Sequence, residues 1–423
     1  MTGNEIATDV LIVGGGLAGS TLAHALAATP LSTVLVEERN PAQLEQPSFD
    51  GRATALANGS QRILASLGLW EGVAGDAEAI RTIHVSERGR FGAARISAEE
   101  EGVQALGYTL ENRILGAALW ESLGSAGGFS SLAPAKLASL RIDDEAVIAV
   151  VESSGKDVTI RARVVVAADG ANSTVRDVLG IGSREDLYDQ KAVILNCATQ
   201  LPHAGRAFER FTPSGPVAFL PLSRDRVSVV WTMSPDEAAR AVALDEPEFR
   251  GELQSAFGHR LGRIERIGAR VAYPLARVKS DALTSTRAVL IGSAAVNLHP
   301  VAGQGFNLAL RDIATLAEIF TDALSDGGGH DPGSAELLGR YARWRERDQK
   351  TVAALTHGLI RLFGLGTFPV AASRGVGLMA FDLIPGAKAA LARQTMGLSG
   401  RLPRLARGLP LVPAGSKRRR GTR

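Results

Sequence analysis

Residues 9–37 leave this chain little freedom. Asp9–Val13 is a short apolar run rich in β-branched side chains, which predicts a buried parallel strand. Gly14-Gly15-Gly16-Leu17-Ala18-Gly19 comes next, followed by the small, helix-forming run Ser20–Ala28. Thr33–Val36 reads as a second buried strand ending in Glu37. Strand, G-x-G-x-x-G and helix make a tight turn that admits a pyrophosphate against a helix N-terminus, and an acid about twenty residues further on accepts hydrogen bonds from an adenosine ribose. A lone G-x-G-x-x-G is weak, but here strand, helix and acid agree. Glu38 competes for the ribose role; Glu37 is preferred because it directly follows the apolar run. The bland alternative is a glycine-rich turn that only packs a helix close to a strand.

Composition narrows the class further. With 423 residues, 45 % hydrophobic and 22 % charged, the chain has mass for two or three domains, or one interwoven unit with a large core. A net charge of +3, with no basic stripe interleaved with aromatics, argues against a nucleic-acid partner. The positive excess gathers in Lys417, Arg418, Arg419, Arg420 and Arg423, so residues 411–423 read as a solvated basic tail, with attraction to anionic lipid as the sharper alternative. The single cysteine, Cys197, excludes an intrachain disulfide and a multi-cysteine metal site and fits a reducing cytoplasm. It lies in the apolar run Val193–Ala198, so a buried strand residue is favoured over a reactive thiol. No run is long and apolar enough to span a bilayer. The first apolar run, from Val10, is broken by glycines and lacks a basic region before it, so a cytoplasmic protein without a signal peptide is expected. The seven histidines show no metal-ligand spacing, and no metal is expected.

Further along, Phe49-Asp50-Gly51-Arg52-Ala53-Thr54-Ala55-Leu56 leads into a helix through Leu67 that stops at Gly68. Arg52 is either a surface arginine or a contact to pyrophosphate or ring. Thr82–Arg90 and Ala94–Ser97 read as exposed strands. Leu110-Glu111-Asn112-Arg113 opens a helix over Ile114–Leu123, with Arg113 again a phosphate ligand or a surface charge. Ala146–Glu152, Asp157–Ala162 and Val164–Ala167 read as strands, and the last runs into Asp169-Gly170 before a short helix from Val175, a second strand-to-helix junction where ligands sit in α/β sheets. From Leu187 to Tyr273 helical periodicity gives way to strands at Ala192–Ala198, Ala207–Phe211, Val217–Leu222 and Val227–Thr232, an inserted, mostly antiparallel sheet. Pro235–Phe257 and Glu336–Thr356 read as helices, with further amphipathic stretches at Leu359–Phe363 and Val376–Ile384. The strand Ala288–Ile291 feeds Gly292–Asp312, in which Gly303-Gln304-Gly305 makes a tight bend before a helix whose free N–H groups point at whatever the bend holds.

Three separated signatures, Gly14/Gly16/Gly19 with Glu37, Asp169-Gly170, and the Gly292 stretch, resemble the aromatic hydroxylase group of flavoproteins whose prototype is para-hydroxybenzoate hydroxylase. Their order covers nearly the whole chain. Phe49–Ala53, Gly205-Arg206-Ala207-Phe208-Glu209-Arg210-Phe211-Thr212 and His299-Pro300-x-Ala302-Gly303-Gln304-Gly305-Phe306-Asn307 narrow the likeness to the ubiquinone-biosynthesis hydroxylases, in the branch of 2-octaprenyl-6-methoxyphenol hydroxylase. One residue departs from the pattern: the group has Gly-Asp where this chain has Gly292-Ser293, so a neutral hydroxyl stands in for a carboxylate that holds the ribitol chain.

The resemblance implies an α/β fold, α+β overall. A Rossmann-like FAD-binding domain over residues 1–80, 99–183 and 280–357 would carry a β-sheet substrate domain at 81–98 and 184–279 and a C-terminal helical region at 358–410. It implies FAD, NAD(P)H as transient reductant, O2 carried as a hydroperoxide on the flavin, and a polyprenylated phenol. Gly14, Gly16, Leu17, Ala18 and Gly19 would meet the pyrophosphate and Glu37 the ribose, with Arg52 and Arg113 at the phosphates or ribitol and Asp169 and Ser293 near the pyrophosphate, nicotinamide junction or ribitol. Pro300 would pack on the flavin face, and backbone N–H groups of Gly303, Gly305, Phe306 and Asn307 would face the reduced ring. His299 is either structural or a catalytic aid to phenol deprotonation. Phe219, Leu220, Pro221 and Trp231 would line the ring site, or else pack between sheet faces. Leu362, Phe363, Leu365 and Phe368 would form a tail groove, or a membrane, partner-enzyme or dimer contact. Another flavin enzyme on the same fold, such as an isoprenoid reductase or soluble-phenol hydroxylase, and a non-catalytic scaffold subunit are the competing readings.

Overall fold

The computed structural model describes residues 5–41, 52–90, 92–124, 128–297, 303–325, 331–364 and 385–412. His299, Pro300, Leu365, Phe368, the amphipathic stretch 376–384 and the basic tail from 413 lie outside them.

The first sheet is built on β1 (Glu5–Val13), which pairs in parallel with β2 (Thr33–Val36) on one side and β11 (Lys156–Ala167) on the other. Val10, Leu11 and Ile12 are fully buried, as a strand covered on both faces requires. β8 (Phe129–Leu132) extends the sheet beyond β2, while β19 (Ala288–Leu290) and β18 (Thr284–Ser285) extend it beyond β11. β9 (Ala135–Ile142) and β10 (Val147–Ser153) form an antiparallel flap against the outer half of β11. The two strands read at 157–162 and 164–167 are therefore one: a single ladder to β1 runs from Glu5↔Thr159 to Val13↔Ala167.

Helices α1 (Leu17–Ala27), α3 (Asn112–Gly124), α7 (Gln304–Ser325) and α8 (Ala335–Gly364) supply much of the helical packing, α1 lying against both α3 and α7. Leu359–Phe363, read as a separate amphipathic stretch, is the continuation of α8. A three-stranded sheet, β3 (Ala53–Ala57), β7 (Gly107–Glu111) and β4 (Glu78–Ile80), sits beside them. Residues 53–57 are thus strand, and α2 (Asn58–Ser66) begins only after them, ending before Gly68 at φ +74°. Similarly, Leu110 and Glu111 close β7, and α3 starts at Asn112.

The second sheet is mostly antiparallel. Its order is β20 (Val296–Asn297), β17 (Val271–Ser280), β12 (Ser183–Thr199), β15 (Arg226–Met233), β14 (Gly215–Leu222), β13 (Arg206–Thr212), β5 (Thr82–Glu87) and β6 (Ala93–Ser97), with β16 (Ile264–Ile267) on the end of β12. Strand pairing puts β5 and β6 in this sheet although over a hundred residues separate them from β13. One face packs on α5 (Pro235–Ala243) and α6 (Glu246–Phe257) through Val193, Phe208, Phe219, Trp231, Phe249 and Phe257. Residues 235–257, read as one helix, are two. Pro247 cannot donate an N–H and biases its predecessor away from the α region. Asp245 then caps the second helix by accepting from Glu248 N at 2.8 Å. α4 (Thr174–Val178) follows Asp169, and after α8 come α9 (Pro385–Thr395) and a short turn Leu405–Arg407. No described helix is long and apolar enough to cross a membrane.

Candidate functional site

Strand register gathers the motifs. Val13 lies opposite Val36 and Ala167, and Ala167 lies opposite Leu290. Four parallel strands therefore end together, and the residues that follow them, Gly14, Glu37, Ala168-Asp169 and Gly292-Ser293, share one edge. This carboxyl edge is where α/β sheets hold ligands.

At that edge Gly14 has φ +100°, and a Cβ on it would stand 2.5 Å from Ala168 O. A Cβ on Gly19 would stand 1.8 Å from Gly14 O. The turn and α1 are pressed together as only glycine permits. Gly16 caps α1 with no side-chain hydrogen bond, and Leu17 and Ala18 are half-buried behind it. The helix's first N–H groups are left for an external acceptor. Glu37 Oε2 accepts from Gly15 N at 2.6 Å and Oε1 from Arg39 N at 2.9 Å. Two of the carboxylate's roughly four acceptor positions are used, and the rest stay open to a diol. Trp120, which no sequence signal marked, closes the far side by donating Nε1–H to Gly15 O at 3.1 Å.

Asp169 Oδ2 accepts from Val175 N at 3.1 Å, while its buried Oδ1 has no hydrogen-bond partner among the described residues. Burial raises its pKa, against the hydrogen bonds from Ser173 and the α4 backbone. An orphaned acceptor at this edge fits a hydroxyl donor that the protein itself does not provide. Ser293 is exposed in the short turn Gly292–Ala294. A Cβ on Gly292 would stand 3.3 Å from Ala18 Cβ and 3.4 Å from Ala309 Cβ, so the turn lies close to α1 and α7 at once.

A second group surrounds β3. Asn307 is wholly committed: Oδ1 accepts from Ala57 N at 2.8 Å, and Nδ2 donates to Ala55 O at 2.8 Å and Gly303 O at 2.7 Å. Its side chain fastens the start of α7 to β3, so what it can offer a ligand is backbone. Gly303 stands at φ +60° beside Ala55, Gly305 is exposed, and Phe306 is half-buried on the core. Arg52, at the head of β3, lies over the Tyr273 ring at 4.9 Å. Arg113 pairs with Glu111 at 3.2 Å and is 48 % exposed, so it can reach a second anion. Burial opposes ionisation of Glu111, but Arg226 at 2.8 Å and Arg113 outweigh it and lower its pKa.

Behind Gly292 lies a buried charge network absent from the sequence reading. Asp312 Oδ2 accepts from Gly292 N at 3.1 Å, and its Oδ1 takes Arg345 Nε at 2.7 Å. Arg345 also meets Asp348, which meets Arg311, each at 2.7 Å. Burial opposes the charge on Arg345, but Asp312 and Asp348 outweigh it and raise its pKa. Arg311-Asp312 in the middle of an apolar helix was the available signal, since charges there need partners.

The four ring-site candidates separate. Alternation puts Phe219, Pro221 and Trp231 on the sheet face turned to α5 and α6, where Phe219 stacks on Phe257 at 3.6 Å and Trp231 meets Phe249 edge-on at 6.0 Å. Leu220 alone points to the other face, the one on which Tyr273 carries Arg52. Cys197 is buried on β12, where burial pushes its thiol up to about 12, as a structural cysteine's would be. Among the described residues no acidic, histidine or cysteine group has metal-binding geometry.

A glycine cradle, an acid and an orphaned acceptor on one carboxyl edge are the features of an α/β protein that binds a dinucleotide. Residues 7–355 match the FAD binding domain family, and the chain belongs to it. It is 40 % identical over 407 residues to ubiquinone hydroxylase UbiL of Rhodospirillum rubrum, covering 95 % of this chain and 93 % of that protein. It is 32 % identical to the 3-demethoxyubiquinol 3-hydroxylase of Escherichia coli, covering 89 % of this chain and 95 % of the relative. In fold it matches p-nitrophenol 4-monooxygenase PnpA of Pseudomonas putida with a TM-score of 0.78 at 19 % identity, over 94 % of this chain and 99 % of that one.

Proposed function

We propose that this protein is an FAD-dependent monooxygenase that hydroxylates the aromatic ring of a polyprenylated phenol in ubiquinone biosynthesis, with NAD(P)H and O2 as co-substrates. The observation that carries the reading is the shared edge of Gly14–Gly19, Glu37, Asp169 and Gly292-Ser293, together with relatives that are ubiquinone hydroxylases along nearly their full length.

Bound there, FAD supplies the two-electron chemistry and oxygen activation that no side chain can. The protein's part is to hold and shield. The Gly14–Gly19 turn and the N-terminus of α1 receive the pyrophosphate, and Glu37 takes the adenosine ribose. Asp169 Oδ1 and the exposed Ser293 hydroxyl serve the sugar-alcohol and phosphate region, with Arg52 and Arg113 neutralising phosphate or ribitol oxygens. The backbone N–H groups at the start of α7, from Gly303 to Asn307, face the ring end, where the helix dipole favours negative charge. The phenol enters between this turn and the sheet face that bears Leu220 and Tyr273, where the surrounding strands exclude water. Residues 1–80, 99–183 and 280–357 are assigned to the FAD-binding part and 81–98 and 184–279 to the substrate part; the pairing of β5 and β6 with β13 supports that division. The protein works at the cytoplasmic surface of the membrane that stores its lipid substrate.

The test is purification followed by turnover under labelled oxygen. Yellow protein that oxidises NAD(P)H faster with a prenylated phenol, and that puts one labelled atom into the ring, is the expected result. A product free of label overturns hydroxylation. A deletion strain's accumulated quinone precursor then names the ring position.

A further inference from the structure

Glu209 lies in the middle of β13, between β5 and β14, opposite Val85 and Ala218. Its neighbours Phe208 and Arg210 face α6: Phe208 meets Phe257 edge-on at 5.4 Å, and Arg210 donates to Phe257 O at 2.6 Å. Alternation turns Glu209 to the opposite face. The cross-strand row through Glu209 is Ala94, Val85, Ala218, Val230 and Ile194, all apolar. The next row along the same face ends at Tyr273, under Arg52.

That face is roofed from the cofactor side. Ile83 and Ile96, one row away from Glu209, pack with Ala392 and Met396 at the end of α9. Met396 O accepts from Gly59 N at 2.9 Å, and Thr395 O takes Gln304 Nε2 at 3.5 Å, at the very turn that opens α7. Glu209 therefore sits in the compartment bounded by the sheet, α9 and the Gly303–Asn307 turn. Its side chain is half-buried, and among the described residues its carboxyl makes no hydrogen bond or ion pair. A carboxyl group set in an apolar row without a partner is costly to keep unless a ligand uses it.

We infer that Glu209 is the group that takes the proton from the hydroxyl of the phenolic substrate. The substrate's O–H bond breaks, its electron pair stays on the phenolic oxygen, and the proton bonds to a Glu209 carboxylate oxygen; the resulting phenolate makes the ring carbons more nucleophilic. The inference rests on the hydroxylase reading above. Burial raises the carboxyl to about 7, so near neutral pH Glu209 is present in both forms and can accept and return a proton. Burial alone shifts Glu209, with no charge partner, although other charged or titratable groups belong to the compartment, Arg52 over Tyr273 among them. Arg226 is held by Glu111, Lys388 by Glu100 at 2.8 Å, Glu87 and Tyr273 lie in the neighbouring row, and Arg393 comes from α9.

The experiment uses FAD-loaded wild type, Glu209→Gln and Glu209→Asp, with 2-prenylphenol for turnover and 2-prenyl-4-nitrophenol as a coloured binding probe. At pH 7.5, on the ionised side of Glu209, the wild type is expected to bind the probe with a larger phenolate fraction than E209Q, with FAD content unchanged. E209Q turnover should fall about 10²–10⁴-fold at pH 7 and recover roughly tenfold per pH unit as free phenolate becomes available, while E209D restores part of the loss. A purely structural role would lower the rate equally at every pH. Equal phenolate fractions in wild type and E209Q, or a pH-independent loss in both variants, overturn the inference while labelled product from the wild type leaves the hydroxylase reading intact. Should E209Q lose FAD, the E209D pH profile decides by the same criterion. Glu209-dependent phenolate formation without labelled product would instead sustain the inference and overturn hydroxylation.

Discussion

Replacing Arg345 by methionine tests the network that sets the Gly292 turn. Arg345 and Asp312 side chains are 2 % and 1 % exposed and meet at 2.7 Å. The methionine fills most of the space but leaves Asp312 with only Gly292 N at 3.1 Å and Gln349 Nε2 at 3.3 Å. Breaking one side of such a buried pair costs about 3–5 kcal/mol because an uncompensated charge stays behind. Asp348 keeps Arg311 and does not add a second orphan. For 423 residues unfolding as one unit, the entropy of unfolding converts this to a fall in Tm of about 3–6 °C. Asp312→Asn should cost a similar amount, whereas the double change Asp312→Leu with Arg345→Met should recover much of it, because a matched apolar pair leaves no orphan. Thermal unfolding of FAD-loaded protein, run for both singles and the double, measures the coupling. FAD affinity read by fluorescence should fall in the singles, since Gly292 N loses its rigid acceptor. A double mutant whose loss equals the sum of the singles would refute the network argument.

Gly19→Ala puts a methyl 1.8 Å from Gly14 O and should give colourless protein; a full complement of FAD would count against the cradle. Phe219→Ala should cost about 3–5 kcal/mol of stability through the lost stack on Phe257, with KM for the phenol nearly unchanged; a large KM effect without destabilisation would return Phe219 to the ring site. Because burial raises Glu209 to about 7, above an unfolded value near 4.3, the native state keeps a proton that the unfolded chain has already released. Stability should then decline as pH rises through that window and level off above it, by at most ~4 kcal/mol, and urea midpoints for E209Q should lack this component.

How much was legible depended on range. The run from Val10 to Glu37 specified strand, turn, helix, strand and acid because each is a local pattern with one steric solution. The break at Leu244-Asp245 escapes a sequence reading because helical apolar spacing continues across it. β3 exists only through pairing with β7, and the break follows from Pro247 and the Asp245 cap. Phe219 and Leu220 show the limit well: alternation says they face opposite ways, but not which way is the core.

The sequence by itself determined the dinucleotide turn, its acid and the order of the signatures, because bend, helix start and strand end are written in neighbouring residues. Only the tertiary structure decided that four strands end in register, that Arg311 and Asp312 find Asp348 and Arg345, and that Glu209 faces away from α6 with no partner among the described residues. Those are pairings across a hundred residues or across a sheet, and their energy comes from burial and satisfied charge, which no local pattern encodes.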